Sequence, residues 1–347
     1  MKFITRTSPA RLIIATAIAI LTLVGLTACE SIYDDDLQPC PQGLRLRFIY
    51  DYTLEGGNSF PSQVDCLTLH IYDAEGKYVR TLTETSDALR DENYRMTVDL
   101  PAGEYRLIAY GGAECDEASF SHTAYPHEGS LDEEIGMKLN DECLQPGNPK
   151  GRLHDHFYGS VKVSVTNPVD YTEETVPMMK NTNHFRIMLQ HLNYEPLDGN
   201  DYDFEIIDDN TLFDHRNMLV DNGDVTYTPW SKGTVGTGIV EQRPDGTRTI
   251  TEVVSAYAEL STSRLMTSRH PRLIVRHIAS GNVCIDIPLI NYLKALRSDR
   301  FSQYKDQEFL DRQSNWNMIF FMNDAQTWYK SHIKVNDWDV RINNIEK

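Results

Sequence analysis

The sequence predicts an all-β protein with two tandem β-sandwich domains behind a cleavable N-terminal signal. Three observations carry that expectation. Apolar residues recur at every second position in run after run, the period of a strand with one buried face. Gly, Pro, Asn and Asp punctuate the runs where turns are needed. The chain of 347 residues is 40% hydrophobic, enough for two cores of ordinary size, and it holds a single patch of helical period.

The N-terminus comes first. Lys2, Arg6 and Arg11 precede an apolar run from Leu12 to Leu26, and Leu26-Thr27-Ala28 leads into Cys29. A basic start, an apolar stretch and small residues form a secretory signal. At about 15 residues the stretch is shorter than the roughly 20 a spanning helix needs. The closing cysteine makes it resemble a bacterial lipoprotein signal, with residues 1–28 removed and Cys29 acylated. Glu30 and Asp34-Asp35-Asp36 follow. They resemble the acidic tag that sends some lipoproteins of Bacteroidetes-type bacteria to the outer face of the outer membrane. Residues 29–42 read as a lipidated linker.

The signal takes three basic residues and no acid from the whole-chain charge of −18, leaving −21. Nucleic-acid binding needs clustered Lys and Arg and is not expected. Anionic lipid would also repel this chain, so its membrane partner is the outer-membrane lipid that receives the acyl chains of Cys29. Each buried methylene contributes about 0.8 kcal/mol, and stable anchoring takes two or more chains.

The strands follow in order. Leu44, Leu46, Phe48, Tyr50 and Tyr52 alternate with mostly polar residues. Leu67 to Tyr72 closes on Asp73-Ala74-Glu75-Gly76, and Tyr94, Met96, Val98 and Leu100 on Pro101-Ala102-Gly103. Tyr105 to Tyr110 and Val161, Val163 and Val165 flank an irregular stretch, 112–158. The first sandwich is expected over 43–168. After a linker from Pro168 to Pro177, the second is expected over 178–347, with strands at 185–189, 204–207, 253–260, 273–278, 283–287 and 316–322. Pro288 opens a short helix, with Leu289, Ile290, Leu293 and Leu296 on one face. The last run has a phase slip: Ile333 and Val335 are odd, while Trp338, Val340 and Ile342 are even. A bulge or bend at Asn336-Asp337 would restore the register.

Six cysteines are present. With Cys29 acylated, five remain, and the compartment permits disulfides. Cys115 and Cys143 bracket a Gly/Asp/Glu-rich excursion, so a staple between them is expected, with Cys40 and Cys66 as alternative partners for either. Cys284 lies in an apolar strand and reads as a buried free thiol.

His154-Asp155-His156 places two imidazoles on one strand face, but no third ligand accompanies them and no metal is expected. Asp221-Asn222-Gly223-Asp224 carries calcium-ligand side chains without the rest of an EF-hand loop, and reads as a hairpin turn. No nucleophile elbow, phosphate loop or zinc-protease helix is present, so neither an enzyme nor a cofactor is expected.

Several segments resemble, in order, the FimB-type fimbrial anchor lipoproteins of Bacteroidales. They are Ser31-Ile32-Tyr33-Asp34-Asp35-Asp36, Cys40-Pro41, Gly43-Leu44, Val64-Asp65-Cys66-Leu67-Thr68-Leu69 and Leu100-Pro101-Ala102-Gly103-Glu104-Tyr105. Downstream stand Ile287-Pro288-Leu289-Ile290, Gln307-Glu308-Phe309-Leu310-Asp311-Arg312-Gln313 and Ile333-Lys334-Val335-Asn336-Asp337-Trp338-Asp339-Val340-Arg341. Residues 112–158 and 208–250 match weakly. The resemblance implies two transthyretin-like sandwiches that seat a fimbrial shaft on the outer membrane and end its growth, with shaft subunits as partners. The C-terminal run of Ile333, Val335, Trp338, Val340 and Ile342 then supplies a donor strand or docking edge, or is the last core strand. The alternative function is a tip adhesin or surface glycan-binding lipoprotein, with Trp230, Trp328 and Tyr329 as candidate contacts if they are not core residues.

Replacing Cys29 tests the signal. The Cys29→Ala protein is expected to leave the membrane fraction for the soluble fraction and to take up no palmitate. Persistent palmitate labelling would overturn the assignment.

Overall fold

The computed structural model describes residues 42–146, 150–166, 170–242, 248–324, 327–335 and 338–340. Cys29, Asp34, Asp35, Asp36, Cys40 and Ile342 lie outside them. Among the described residues, no helix is long and apolar enough to cross a membrane.

The chain opens with β1 (Gly43–Ile49), a one-turn helix α1 (Phe60–Gln63), β2 (Leu67–Asp73), β3 (Tyr78–Glu84), β4 (Met96–Asp99) and β5 (Gly103–Gly111). An excursion contributes β6 (Phe120–His122) and β7 (Met137–Leu139) before β8 (Phe157–Val165) and β9 (Tyr171–Lys180). Seven of these strands form one ladder in the order β3-β2-β5-β8-β9-β1-β4. The ladder folds on itself at one place. β8 pairs with β5 along its whole length, but with β9 only through Phe157, Gly159 and the residue between them. The two arms therefore face each other, and Leu44, Leu46, Leu69, Ile71, Leu107 and Val176 meet between them. The segment expected as a linker is thus strand from Tyr171 onward. Its alternation is masked by Glu173-Glu174 and Pro177, which a strand paired in parallel with β1 tolerates here.

The second half runs β10 (Thr182–His191), β11 (Tyr202–Asp208), β12 (Leu212–Phe213), β13 (Leu219–Val220), β14 (Val225–Tyr227), β15 (Ser231–Gln242), β16 (Arg248–Ser263), β17 (Arg272–His277) and β18 (Val283–Pro288). Helices α2 (Leu289–Ala295) and α3 (Asp306–Arg312) precede β19 (Asn315–Met322), β20 (Trp328–Val335) and β21 (Trp338–Val340). A six-stranded sheet, β15-β16-β10-β19-β20-β21, faces a four-stranded one, β14-β11-β17-β18. Phe185, Ile187, Ala258 and Phe320 from the first meet Phe204, Ile206, Leu273 and Val275 from the second. Pro288 caps α2, and Leu289, Ile290 and Leu293 are buried as their spacing predicts. Helix α3 was not expected; its buried face holds Phe309, Leu310 and Asp311, and a carboxylate on that face hides the apolar period.

Two expectations about turns are corrected. Over its described part, to Val340, the run from Ile333 is not one kinked strand. Val335 stands opposite Trp338, and Ile333 opposite Val340, in an antiparallel ladder. The chain has reversed, so the phase slip marks a hairpin, in which the two arms need not share one alternation. Asp221 to Asp224 is likewise no hairpin turn. It crosses from β13, which pairs with β12, to β14, which pairs with β11.

The weakly patterned stretches also pair with each other. β6 and β7 from the first excursion join β12 and β13 from the second in a sheet ordered β13-β12-β7-β6, with Phe213 opposite Met137. This sheet covers the outer face of β2 and β5. Tyr72, Ile108 and Tyr110 on that face join Phe120, Ile135, Met137 and the second sandwich in one apolar cluster. β2 is therefore buried on both faces, with Leu67, Leu69 and Ile71 on one and Thr68, His70 and Tyr72 on the other.

At the fold in the ladder, Gly159 allows β8 and β9 to touch. A Cβ there would lie 2.7 Å from the Pro177 carbonyl oxygen and 3.0 Å from Val176 Cγ1. Gly159→Ala is expected to cost about 1–3 kcal/mol, the range for an overpacked interior. Urea unfolding checks this, and unchanged stability would mean that the corner is slack.

Candidate functional site at the seam of the two sandwiches

One residue, Asn181, separates β9 from β10 and hence the first sandwich from the second. Polar side chains from both sides converge there, and each has a partner. Asp155, just before β8, accepts from Lys180 Nζ at 2.8 Å, from His184 Nε2 at 2.6 Å and from Thr182 Oγ1 at 3.0 Å. Burial pushes the Asp155 carboxyl up. The hydrogen bond from His184 and the charge of Lys180 outweigh it and hold the group well below the usual carboxylate range. Gly112 lets this loop approach, since a Cβ at its φ of +77° would collide with the Asp155 carbonyl. Asn181 and Asn217 exchange side-chain amide hydrogen bonds at 2.7 and 3.0 Å, bringing the bridging sheet to the same point.

Two further contacts close the seam. Arg264 makes a bidentate pair with Asp311 at 2.7 and 2.8 Å, each residue 8% exposed, and donates to the Asn217 carbonyl. The Arg312 guanidinium stacks between Tyr52 of the first sandwich, 4.1 Å from its ring centre, and Tyr304 of the second, at 4.8 Å. Beside them Ser62, Gln63, Asp65, His154, Asp155 and Lys180 border a polar cleft of about 780 Å³.

The sheet β13-β12-β7-β6 is held to β2 by a chain of hydrogen-bonded side chains. Tyr78 donates to Thr81 Oγ1 at 3.0 Å, and Thr81 lies 2.7 Å from His70 Nδ1. His70 Nε2 and His122 Nε2 are 2.9 Å apart, and His122 Nδ1 is 3.1 Å from Glu114. With both rings neutral, one direction satisfies every atom: tyrosine to threonine to His70 to His122 to carboxylate. Burial, with His122 as a lesser cause, lowers His70 to about 3, and burial lowers His122 to about 4.

The sequence candidates disperse. His154 contacts Asp65 at 3.0 Å. Asp155 anchors the seam, while His156 is fully buried and stacks on Phe120. The triplet therefore shares no common ligand point. Cys115 pairs with Cys66, not with Cys143. The antiparallel ladder of β2 and β5 sets Leu67 opposite Gly111, so the residues just beyond β5 return beside Cys66. Cys143 and Cys284 are buried free thiols, the latter as expected, and burial raises both. Trp328 is core, packed on Tyr292 and Phe320. Lys180, Asn181, His184, Arg264 and Asp311 escaped the sequence reading. The available signal was a lone polar or charged residue closing or interrupting an apolar run.

The fold and the seam define a class: an all-β protein of two sandwiches locked by buried polar groups and fused through a bridging sheet. The family of fimbrillin-A associated anchor proteins, Mfa1 and Mfa2, matches residues 37–344, and the chain belongs to that family. An adhesin candidate from Bacteroides thetaiotaomicron is 48% identical with a TM-score of 0.81, over 89% of this chain and all of its own. A candidate polysaccharide-binding protein from the same species is 32% identical with a TM-score of 0.71, over 88% of this chain and 98% of its own. The fimbrial anchor protein Mfa2 of Porphyromonas gingivalis shares the fold at 15% identity, with a TM-score of 0.62 over 87% of this chain and 99% of its own. No curated protein matches the chain.

The histidine pair sets an acid limit. Between their ordinary value of 6.5 and the lowered ones, the unfolded chain binds protons that the folded protein refuses. Stability therefore falls as pH drops below about 6.5, by up to about 1.4 kcal/mol per pH unit for each ring. The His70→Asn/His122→Asn double variant is expected to show a flatter acid limb in urea unfolding. An unchanged slope would show that the pair does not titrate this way.

Proposed function

We propose that this fimbria-associated protein is the outer-membrane anchor of a fimbria. It is acylated at Cys29, displayed on the cell surface by Asp34, Asp35 and Asp36, and caps the base of the shaft. No catalytic role is proposed for it. The supporting observation is the place of β1. It lies between β4 and β9, and its Leu44 and Leu46 are wholly buried. A chain held to lipid just upstream cannot release this strand, so it opens no groove for another subunit and ends a strand-exchanged polymer. Its contribution to the contact comes from the other end. Among the described strands, β21 is an edge of the six-stranded sheet, where a shaft subunit's strand could add.

A glycan-binding role is the second reading, favoured by one feature. Trp230 is half-buried in a groove of about 390 Å³ beside Arg186, Glu259 and Asn317. Tyr329 has no described side chain.

The length of the C-terminal deletion is decisive. A cut at 331 would remove the β20 residues that pair with Met318, Ile319 and Phe320 of β19, and so unfold the sheet. Deleting 336–347 spares them. Cells carrying that truncation are expected to make folded, lipidated protein and to shed long fimbriae into the medium, as a gene deletion would. Retained fimbriae of normal length would overturn the docking role of β21.

A further inference from the structure

On β16, β10 and β19 every second residue points away from the core. The strand registers set these outward residues in rows across the sheet. Glu259, Arg186 and Asn317 stand side by side in one row, and Tyr257, Met188 and Ile319 in the next. The residues between the rows, Ala258, Ile187 and Met318, are core. Arg186 and Asn317 are exposed, and the other four outward residues are half-buried. A polar row thus lies beside an apolar one, both within reach of solvent.

Two hollows meet on these rows. One, of about 390 Å³, is closed by Trp230. The other, of about 630 Å³, is closed by Phe301 and by Leu54 and Glu55 of the first sandwich. Arg186, Asn315 and Asn317 border both, which makes them one groove crossing the strands from Trp230 to Phe301. Its groups are held in place. Arg186 Nε lies 3.7 Å from the Glu259 carboxylate, and the guanidinium 5.8 Å from the Tyr257 ring centre. The Tyr257 hydroxyl is 3.2 Å from Ser231 Oγ. Trp230 donates its amide to the Glu259 carbonyl at 3.0 Å. Its indole nitrogen is buried without a hydrogen-bond partner, so the exposed part of the side chain is ring carbon.

We propose, on the glycan-binding reading of Trp230, that this groove takes a neutral oligosaccharide. A pyranose has hydroxyls along its edges and C–H bonds on its faces. The polar row offers donors and acceptors to the first, while the apolar row and the Trp230 ring seat the second. Neighbouring strands lie about 4.8 Å apart, close to the repeat of an extended pyranose chain, so a row across three strands seats about two or three sugars. The charges around the groove cancel, Arg152 and Arg186 against Glu55 and Glu259. The chain as a whole carries −18. That balance selects a neutral glycan over one bearing carboxylates or sulfates.

The test uses the full chain in a detergent without a sugar headgroup. Cellotriose, maltotriose, mannotriose and trigalacturonic acid are the probes in calorimetric titration. A neutral trisaccharide is expected to bind at one site per chain, and trigalacturonic acid to give no heat. Trp230→Ala and Arg186→Ala are each expected to weaken that binding by roughly tenfold, and Trp230→Phe, which keeps a ring, by about threefold or less. Silence from every neutral sugar would overturn the groove and the glycan reading together. A neutral sugar bound equally by the parent, Trp230→Ala and Arg186→Ala would overturn the groove alone, since glycan would then bind elsewhere on the chain. Preference for trigalacturonic acid would overturn the assignment to a neutral ligand.

Discussion

The Asp155 carboxylate holds the two halves of this protein in one arrangement. Its three donors stand on both sides of Asn181: Lys180 ends the first sandwich, while Thr182 and His184 begin the second. A single residue between strands leaves no slack, so the sheets inherit their relation from how β9 passes into β10. Losing one member of such a network leaves the others charged or polar in a buried place, which typically costs about 3–5 kcal/mol for an ion pair.

The other seam contacts add to this constraint. The Arg264–Asp311 pair ties α3 to the end of β16 and, through the Asn217 carbonyl, to the bridging sheet. The Arg312 stack reaches Tyr52 of the first sandwich. None of these contacts depends on a flexible hinge. Neutral histidines at the bridging sheet extend the same logic: a buried hydrogen-bonded pair is specific in geometry and is weakened by acid.

The family places the chain among fimbrial anchor proteins, and the place of β1 between β4 and β9 gives the proposed role a physical footing. A strand paired on both sides and buried along its inner row is part of the core. It is not placed as a removable plug, and the proposed end to polymerisation rests on that. At the opposite end of the described chain, a hairpin replaces the expected kinked strand.

The sequence by itself determined the all-β class, most of the long strands, helix α2 and the buried thiol of Cys284. Each of these depends on local periodicity or a local breaker residue, as at Leu44 to Phe48 or Pro288. The tertiary structure decided the rest. Cys66 meets Cys115 only because β2 and β5 pair antiparallel. β6 and β7 of the first excursion and β12 and β13 of the second form one sheet only because the excursions meet, as Phe213 meets Met137. Tyr171 to Lys180 is strand because β1 lies beside it in parallel. Asp155, Lys180 and His184 become one site because the ladder folds at Gly159. Long-range pairing carries no periodic mark in the chain, so residues whose role is set by a distant neighbour were not legible until that neighbour was in place.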